Sequence, residues 1–363
     1  MTQVKHREDS LLQESVSVFS YCDPGLLMPL RRLSSRLGTN PLLVQASSGN
    51  TSVKDDGVLW IKASGKWLQD AEREEMFVPL SLAAVRDCLM HSLPLPPSCS
   101  TGGPLQPLSP SIETFLHAVL PQRVVVHVHS INTIAFAVRC DAEAQLTPRL
   151  EGLQWCCIRY ASSGAPLARE IGRAVAANPA LNVFVLANHG LVVGADNCEE
   201  AQALVDEIER RLQGTPRAAP TVGYQRLVQL TEASQWRLPD SEALHVLGTD
   251  ATSLRAITEG VLYPCQALFL GRHAPVAPDS IPAMELERWI DKRWGVQSFV
   301  ILAGSGVLVS ASIGRAELAM LGGLVQVTQR LPPDAPIRYL CSTDVNEVLT
   351  AEGLHYRDSA EHA

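Results

Sequence analysis

Hydrophobic and polar positions along the chain change period several times, and each change predicts an element. Residues 24–37 carry helical spacing, and Gly38 follows as a stop. Ser47–Val53 (SSGNTSV) is a small-residue turn entering a strand. Asp55-Asp56-Gly57 is a hairpin signal, and Val58–Ala63 is an apolar strand after it. Helices are predicted near Pro79–Met90 and over Ser111–Leu120. His91–Pro110, between them, holds six prolines and two glycines. It must be irregular, and a loop of that length inside a compact domain is often functional. Arg123–Ile131 is a β-branched strand. Pro166–Asn178 is a helix with Leu167, Ile171 and Val175 on one face, and Leu181–Ala187 is a buried strand. Asn197 and Glu200 form a capping box, opening a helix that turns Ala201, Leu204, Val205 and Ile208 inward.

Residues 214–224 (GTPRAAPTVGY) read as a linker. Beyond it, strands are predicted at 266–270, 298–302 and 307–311, and helices at 253–262, 284–294 and 315–330. The chain is therefore expected to be α/β throughout: a first unit over 1–215 and a smaller α/β unit over 225–363. Ala303-Gly304-Ser305-Gly306-Val307 resembles part of a dinucleotide-binding glycine motif. Val309 stands where the third glycine belongs, however, and the surrounding pattern is strand–turn–strand, so it is read as a hairpin.

Composition narrows the classes. With 30 basic and 38 acidic residues the net charge is −8, which gives no basis for binding nucleic acid or an anionic membrane. The nine cysteines are scattered without a CxxC pair and read as reduced thiols. The polar start MTQVKHREDSLLQ lacks the apolar core of a signal peptide, and no run of about 18 apolar residues occurs. A cytoplasmic location is expected.

The candidate chemistry starts at His127-Val128-His129. On a strand, residues i and i+2 face the same way, so two imidazoles can converge on one ion. His189 ends a second buried strand beside Gly190, and Glu113 lies at a helix start after Ser111. Each has an ordinary explanation as well. His189 could cap backbone, and Ser111 with Glu113 could simply open a helix. Ser48-Gly49-Asn50 and Ser64-Gly65 are glycine turns able to form anion-binding nests, or plain tight turns. His245, His273 and His355 are isolated and read as structural or surface residues.

Taken together, GNTSV, IKASG, PSIETFLH, VVVHVHS and LANHGLVVGAD, in that order over about residues 25–213, resemble the class II aldolase/adducin family. Within it they are similar to the fuculose-phosphate aldolases and to the aldolase part of rhamnulose-phosphate aldolase/dehydrogenase-type proteins. The resemblance implies a three-layer α/β/α domain around a central, mostly antiparallel sheet. It also implies a dimeric or tetrameric assembly with sites between subunits. His127, His129 and His189 would hold Zn2+ or another divalent ion. Glu113 would be both resting ligand and proton carrier. Gly49, Asn50, Ser64, Gly65 and Ser111 would hold a substrate phosphate. Ile112 replaces the family's usual second serine, and no counterpart of its tail tyrosine is recognisable.

The function expected from the resemblance is metal-dependent retro-aldol cleavage of a ketose, in first place a sugar phosphate, through an enediolate. A sugar-phosphate epimerase or decarboxylase on the same scaffold is the alternative. A non-enzymatic, adducin-like assembly module is the second, and its mark would be lost metal ligands.

Overall fold

The computed structural model describes residues 24–96, 108–218, 220–232, 234–278 and 280–362. The polar N-terminal stretch and the middle of the proline-rich 91–110 segment lie outside the described residues.

The first unit is built on a seven-stranded sheet, in the order β3-β2-β1-β4-β7-β6-β5. Its strands are β1 Asn50–Asp55, β2 Val58–Lys62, β3 Phe77–Ser81, β4 Val124–Val128, β5 Trp155–Ile158, β6 Val183–Leu186 and β7 Gly190–Ala195. Every pairing is antiparallel except β5 with β6. Helices cover both faces, as a sheet buried on two sides requires. On one face Val124, Val126 and Val128 pack among the helices Pro24–Gly38 and Cys198–Leu212. On the other, Val125 and Phe184 pack with Leu116 of Thr114–Val119 and Ile171 of Ala165–Ala177. This is the expected three-layer α/β/α arrangement.

Local chemistry explains the boundaries that moved. The helix expected from Pro79 begins only at Leu82, because Phe77–Ser81 pairs with β2 and Ser81 then caps the helix by accepting from Ala84 N at 3.3 Å. The strand expected to run to Ile131 stops at Val128, where Ser130 accepts from Thr133 N and opens a helix, Ile131–Ala137. Of the expected capping box only half forms: Asn197 accepts from Glu200 N at 2.8 Å, while the Glu200 carboxylate accepts from Asp196 N at 3.3 Å. Ala201, Val205 and Ile208 are buried, and Leu204 is half-buried against them.

The later part of the chain holds a four-stranded sheet in the order β8-β11-β10-β9. Its strands are β8 Trp236–Arg237, β9 Val276–Ala277, β10 Phe299–Leu302 and β11 Gly306–Ser310. β10 and β11 form an antiparallel hairpin through Ala303–Ser305, so the glycines there make a turn rather than a nucleotide cradle. The segment expected to be a strand at 266–270 is instead a helix, Pro264–Leu270. Pro264 in the first turn suits a helix start, and a short apolar run carries no decisive period.

The segment read as a linker is held in place. Arg217 donates to the carbonyls of Thr328 (3.0 Å) and Gln329 (3.2 Å) and pairs with Asp250. It thereby satisfies the C-terminal carbonyls of Arg315–Arg330. Ala46, Trp67, Ile131, Ile134 and Val138 share one apolar cluster with Phe269, Leu321 and Leu324. The later half therefore packs tightly on the first.

Candidate metal centre

The site forms where the central strands β1, β4 and β7 meet their connecting turns at one end of the large sheet. β1 pairs Asn50 with His127 in β4, and β4 pairs Val128 with Leu191 in β7. His127 and His129 therefore share the face opposite Val126 and Val128. His189 sits in the turn between β6 and β7, after Asn188, whose φ is 54°. Glu113 precedes the helix Thr114–Val119 and reaches the same spot.

The ligating nitrogens of His127, His129 and His189 lie within 4.8 Å of one another. The three rings sit with centroids 4.9–5.0 Å apart. Nε2 of His127 and Nε2 of His129 are 3.2 Å apart. Glu113 lies 3.3 Å from His127 Nε2 through Oε2 and 3.4 Å from His189 Nε2 through Oε1. Two donors each about 2.0–2.1 Å from one tetrahedral ion stand about 3.3 Å apart, so the donor set fits a zinc-like ion. The tautomers suit it too. His127 Nδ1 is 3.0 Å from Leu191 O and donates to it, leaving the Nε2 lone pair facing inward.

Burial tunes these groups. His127 is fully buried, and Glu113, His129 and His189 are nearly so. Burial holds His129 well below its usual value and lowers His189 to about 4, Glu113 partly opposing the latter. His129 and His189 are thus kept neutral, the form that binds a cation. Burial alone would push the Glu113 carboxyl up. His127, His189, a hydrogen bond from Asn50 and Lys62 outweigh it, and the net shift is downward.

The residues matched to a phosphate site are found in other engagements. Asn50 Nδ2 donates to Glu113 Oε2 at 2.8 Å and lies 3.2 Å from Ser111 Oγ, and its Oδ1 meets His117 Nε2. Ser111 Oγ also accepts from Glu113 N at 3.3 Å. Gly49 has φ +69°, and a Cβ there would lie 2.8 Å from His127 O. Its small size is thus required by the approach of the turn to β4. Ser64 N donates to Ser109 O at 2.8 Å, and Gly65 packs against Ser359. His245 accepts from Val307 N at 3.1 Å far from this centre, a structural role as expected.

Sequence reading missed several neighbours. Lys62 is buried with its ammonium on Ser47 O at 2.8 Å, and burial lowers it to about 7, Glu113 opposing. Cys265 Sγ lies 3.6 Å from His129 Nδ1, and burial raises that thiol to about 12. Ser47 Oγ donates to Tyr356 OH at 2.8 Å, and burial raises the tyrosine. Only Lys62 carried a local signal, as the charged residue in an otherwise apolar strand. The other two arrive from a part of the chain in which the sequence showed no chemistry.

Residues 32–214, about half of the chain, match the family described as Class II Aldolase and Adducin N-terminal domain. An uncharacterized oxidoreductase of Bacillus subtilis (strain 168), YuxG, is 25% identical over 226 residues. That match covers 55% of this chain, and the chain spans only 31% of the length of that relative. Among solved structures, the N-terminal class II aldolase domain of a Thermoplasma acidophilum protein is similar at 24% identity. It covers 53% of this chain and 94% of its own, with a TM-score of 0.45. An L-fuculose-1-phosphate aldolase of Thermus thermophilus is similar at 18% identity, covering 53% and 94% with a TM-score of 0.37. The motifs on the central strands and the extent of the family match lead to one placement: the chain belongs to the class II aldolase and adducin N-terminal domain family.

Proposed function

We propose that the protein is a metal-dependent carbon–carbon lyase that cleaves a ketose by a retro-aldol reaction. The observation that carries this reading is the convergence of His127, His129, His189 and Glu113 at 3.2–3.4 Å spacings in a buried setting. His127, His129 and His189 would hold the cation, and an ion there, zinc or another divalent metal, supplies Lewis acidity toward a carbonyl oxygen. Neutral imidazoles leave its charge undiminished.

The chain's own groups handle the protons. The proton of the hydroxyl beta to the carbonyl would pass to the Glu113 carboxylate, which then carries it. The adjacent carbon–carbon bond breaks toward the carbonyl carbon, and an aldehyde and an enediolate result. Glu113, whose carboxylate already faces two of the imidazoles, is the group that delivers a proton to the enediolate carbon. Asn50 orients that carboxylate through its 2.8 Å hydrogen bond. The buried setting strengthens each of these charge interactions.

Ile112, half-exposed where the family motif has a serine, favours keeping the epimerase and decarboxylase alternatives in view, because a hydroxyl donor is missing one residue before Glu113. Incubating the metal-loaded protein with a panel of ketoses and ketose phosphates decides. Two carbon fragments, lost with EDTA, support the lyase. An epimerised product or carbon dioxide supports the alternatives, and no turnover across the panel sinks the reading. An adducin-like assembly role predicts no stoichiometric metal after purification, against the intact ligand set here. A cytoplasmic, homo-oligomeric enzyme with units near 1–215 and 225–363 completes the proposal. No described helix is long and apolar enough to cross a membrane.

A further inference from the structure

The C-terminal helix Ala351–His362 sits on the turn at which a family phosphate would be expected. A Cβ on Gly65, whose φ is +76°, would stand 3.0 Å from Ser359 Cβ, so the outer face of that turn is already in van der Waals contact. Two residues on, Trp67 Nε1 donates to Ala360 O at 2.9 Å. Tyr356 of the same helix meets Ser47 at 2.8 Å, beside the Gly49 turn. Glu361 anchors the far end. Its carboxylate accepts from Ala316 N at 3.1 Å and from Glu317 N at 3.0 Å, at the start of Arg315–Arg330. Such free amides are a ready anion site, and here the chain's own carboxylate fills it. Arg315, at that same start, stacks on the Trp67 ring at 3.7 Å.

The polar groups that could replace a displaced anion pocket are also engaged. Asn50 serves Glu113 and His117, Ser64 N serves Ser109 O, and Lys62 serves Ser47 O. A phosphate dianion brought to the outer face of the Gly65 turn would meet Ser359. Desolvating it without new partners is costly.

We propose that the C-terminal helix is the specificity element of the metal site. By docking Ser359 and Tyr356 on the Ser64–Gly65 and Ser47–Gly49 turns, it excludes a phosphate and selects a neutral, hydroxylated ketose end. The proposal rests on the lyase reading above for what is being selected, but its test does not depend on turnover.

The test uses the full chain loaded with Co2+, whose visible spectrum reports ligands reaching the site. Dihydroxyacetone, dihydroxyacetone phosphate and inorganic phosphate are titrated in turn. Wild type is expected to respond to dihydroxyacetone at least ten times more tightly than to either phosphate. Glu361→Ala loosens the anchor, and Trp67→Phe removes the indole donor while keeping the ring. Each is expected to narrow that ratio by about tenfold or more by tightening the phosphates. Phosphate compounds that bind wild type as tightly as dihydroxyacetone overturn the proposal. A ratio unchanged in both variants, with their folding verified by circular dichroism, also overturns it. A spectral response to dihydroxyacetone without cleavage of any ketose would sink the lyase reading and leave this one standing. Cleavage restricted to ketose phosphates would do the reverse.

Discussion

Asn188 donates its side-chain amide to Leu262 O at 2.8 Å, across the seam between the first and later halves of the chain. It donates to Arg338 O at 2.8 Å as well. Asn188 is fully buried, has a positive φ, and immediately precedes His189. The later half thus clamps the turn that carries one proposed metal ligand. Asn188→Ala leaves one buried and one part-buried carbonyl without this donor, a loss of about 1–3 kcal/mol. It should also weaken divalent-metal binding by about 10–100-fold, the usual effect of losing a ligand's support. Competition with a chromophoric chelator measures this. Wild-type affinity in a destabilised Asn188→Ala protein would show that the clamp does not position His189.

The sequence made the three-histidine cluster legible because its signal is local. A strand places i and i+2 on one face, and His127 and His129 follow that rule with Val126 and Val128 packed on the other side. The large sheet was only partly legible. β5 is a short run whose partner β6 lies well beyond it in the chain, and 264–270 reads as strand or helix with equal ease. Tyr356 and Cys265 could not be found locally. They reach the site from 309 residues beyond Ser47 and 136 beyond His129, through packing that no period encodes. The phosphate assignment of Gly49 and Asn50 came from motif order, and in the structure those positions support β4 and Glu113 directly.

Acid should unfold the metal-free protein in the histidine range. Burial lowers His189 to about 4 and holds His129 and His117 well below the usual value. Between about pH 4 and 6.5 the unfolded chain binds more protons than the folded one, so stability rises with pH across that window and is lost as pH falls through it. For His189 alone the displacement is worth about 3 kcal/mol at neutral pH. Glu113 is also lowered, so its contribution persists above the unfolded carboxylate value and is lost below it. Urea midpoints in EDTA at about pH 4.5, 5.5 and 7 measure the slope. A midpoint that stays flat over that range contradicts the buried, neutral imidazoles.

Arg217 offers a control remote from the chemistry. Its guanidinium holds Thr328 O, Gln329 O and Asp250 in a half-buried setting. Arg217→Ala should cost about 1.5–3 kcal/mol, from hydrogen bonds to a charged donor. It should leave metal stoichiometry at the wild-type level. Metal loss in a folded Arg217→Ala protein would mean that the two halves communicate by a route other than the Asn188 clamp.

The central claim is that His127, His129 and His189 hold a cation beside Glu113 for enediolate chemistry. It is tested most directly by exchange of carbon-bound hydrogen in D2O, followed by proton NMR with dihydroxyacetone and dihydroxyacetone phosphate. The exchange needs no knowledge of the aldehyde partner. The account predicts metal-dependent loss of the carbon-bound proton signal, abolished by EDTA and by His127→Ala. In Glu113→Gln, with the metal retained, exchange should slow by about 10²–10⁴-fold. Exchange that is absent with a full complement of metal, or that proceeds at wild-type rate in Glu113→Gln, would contradict it.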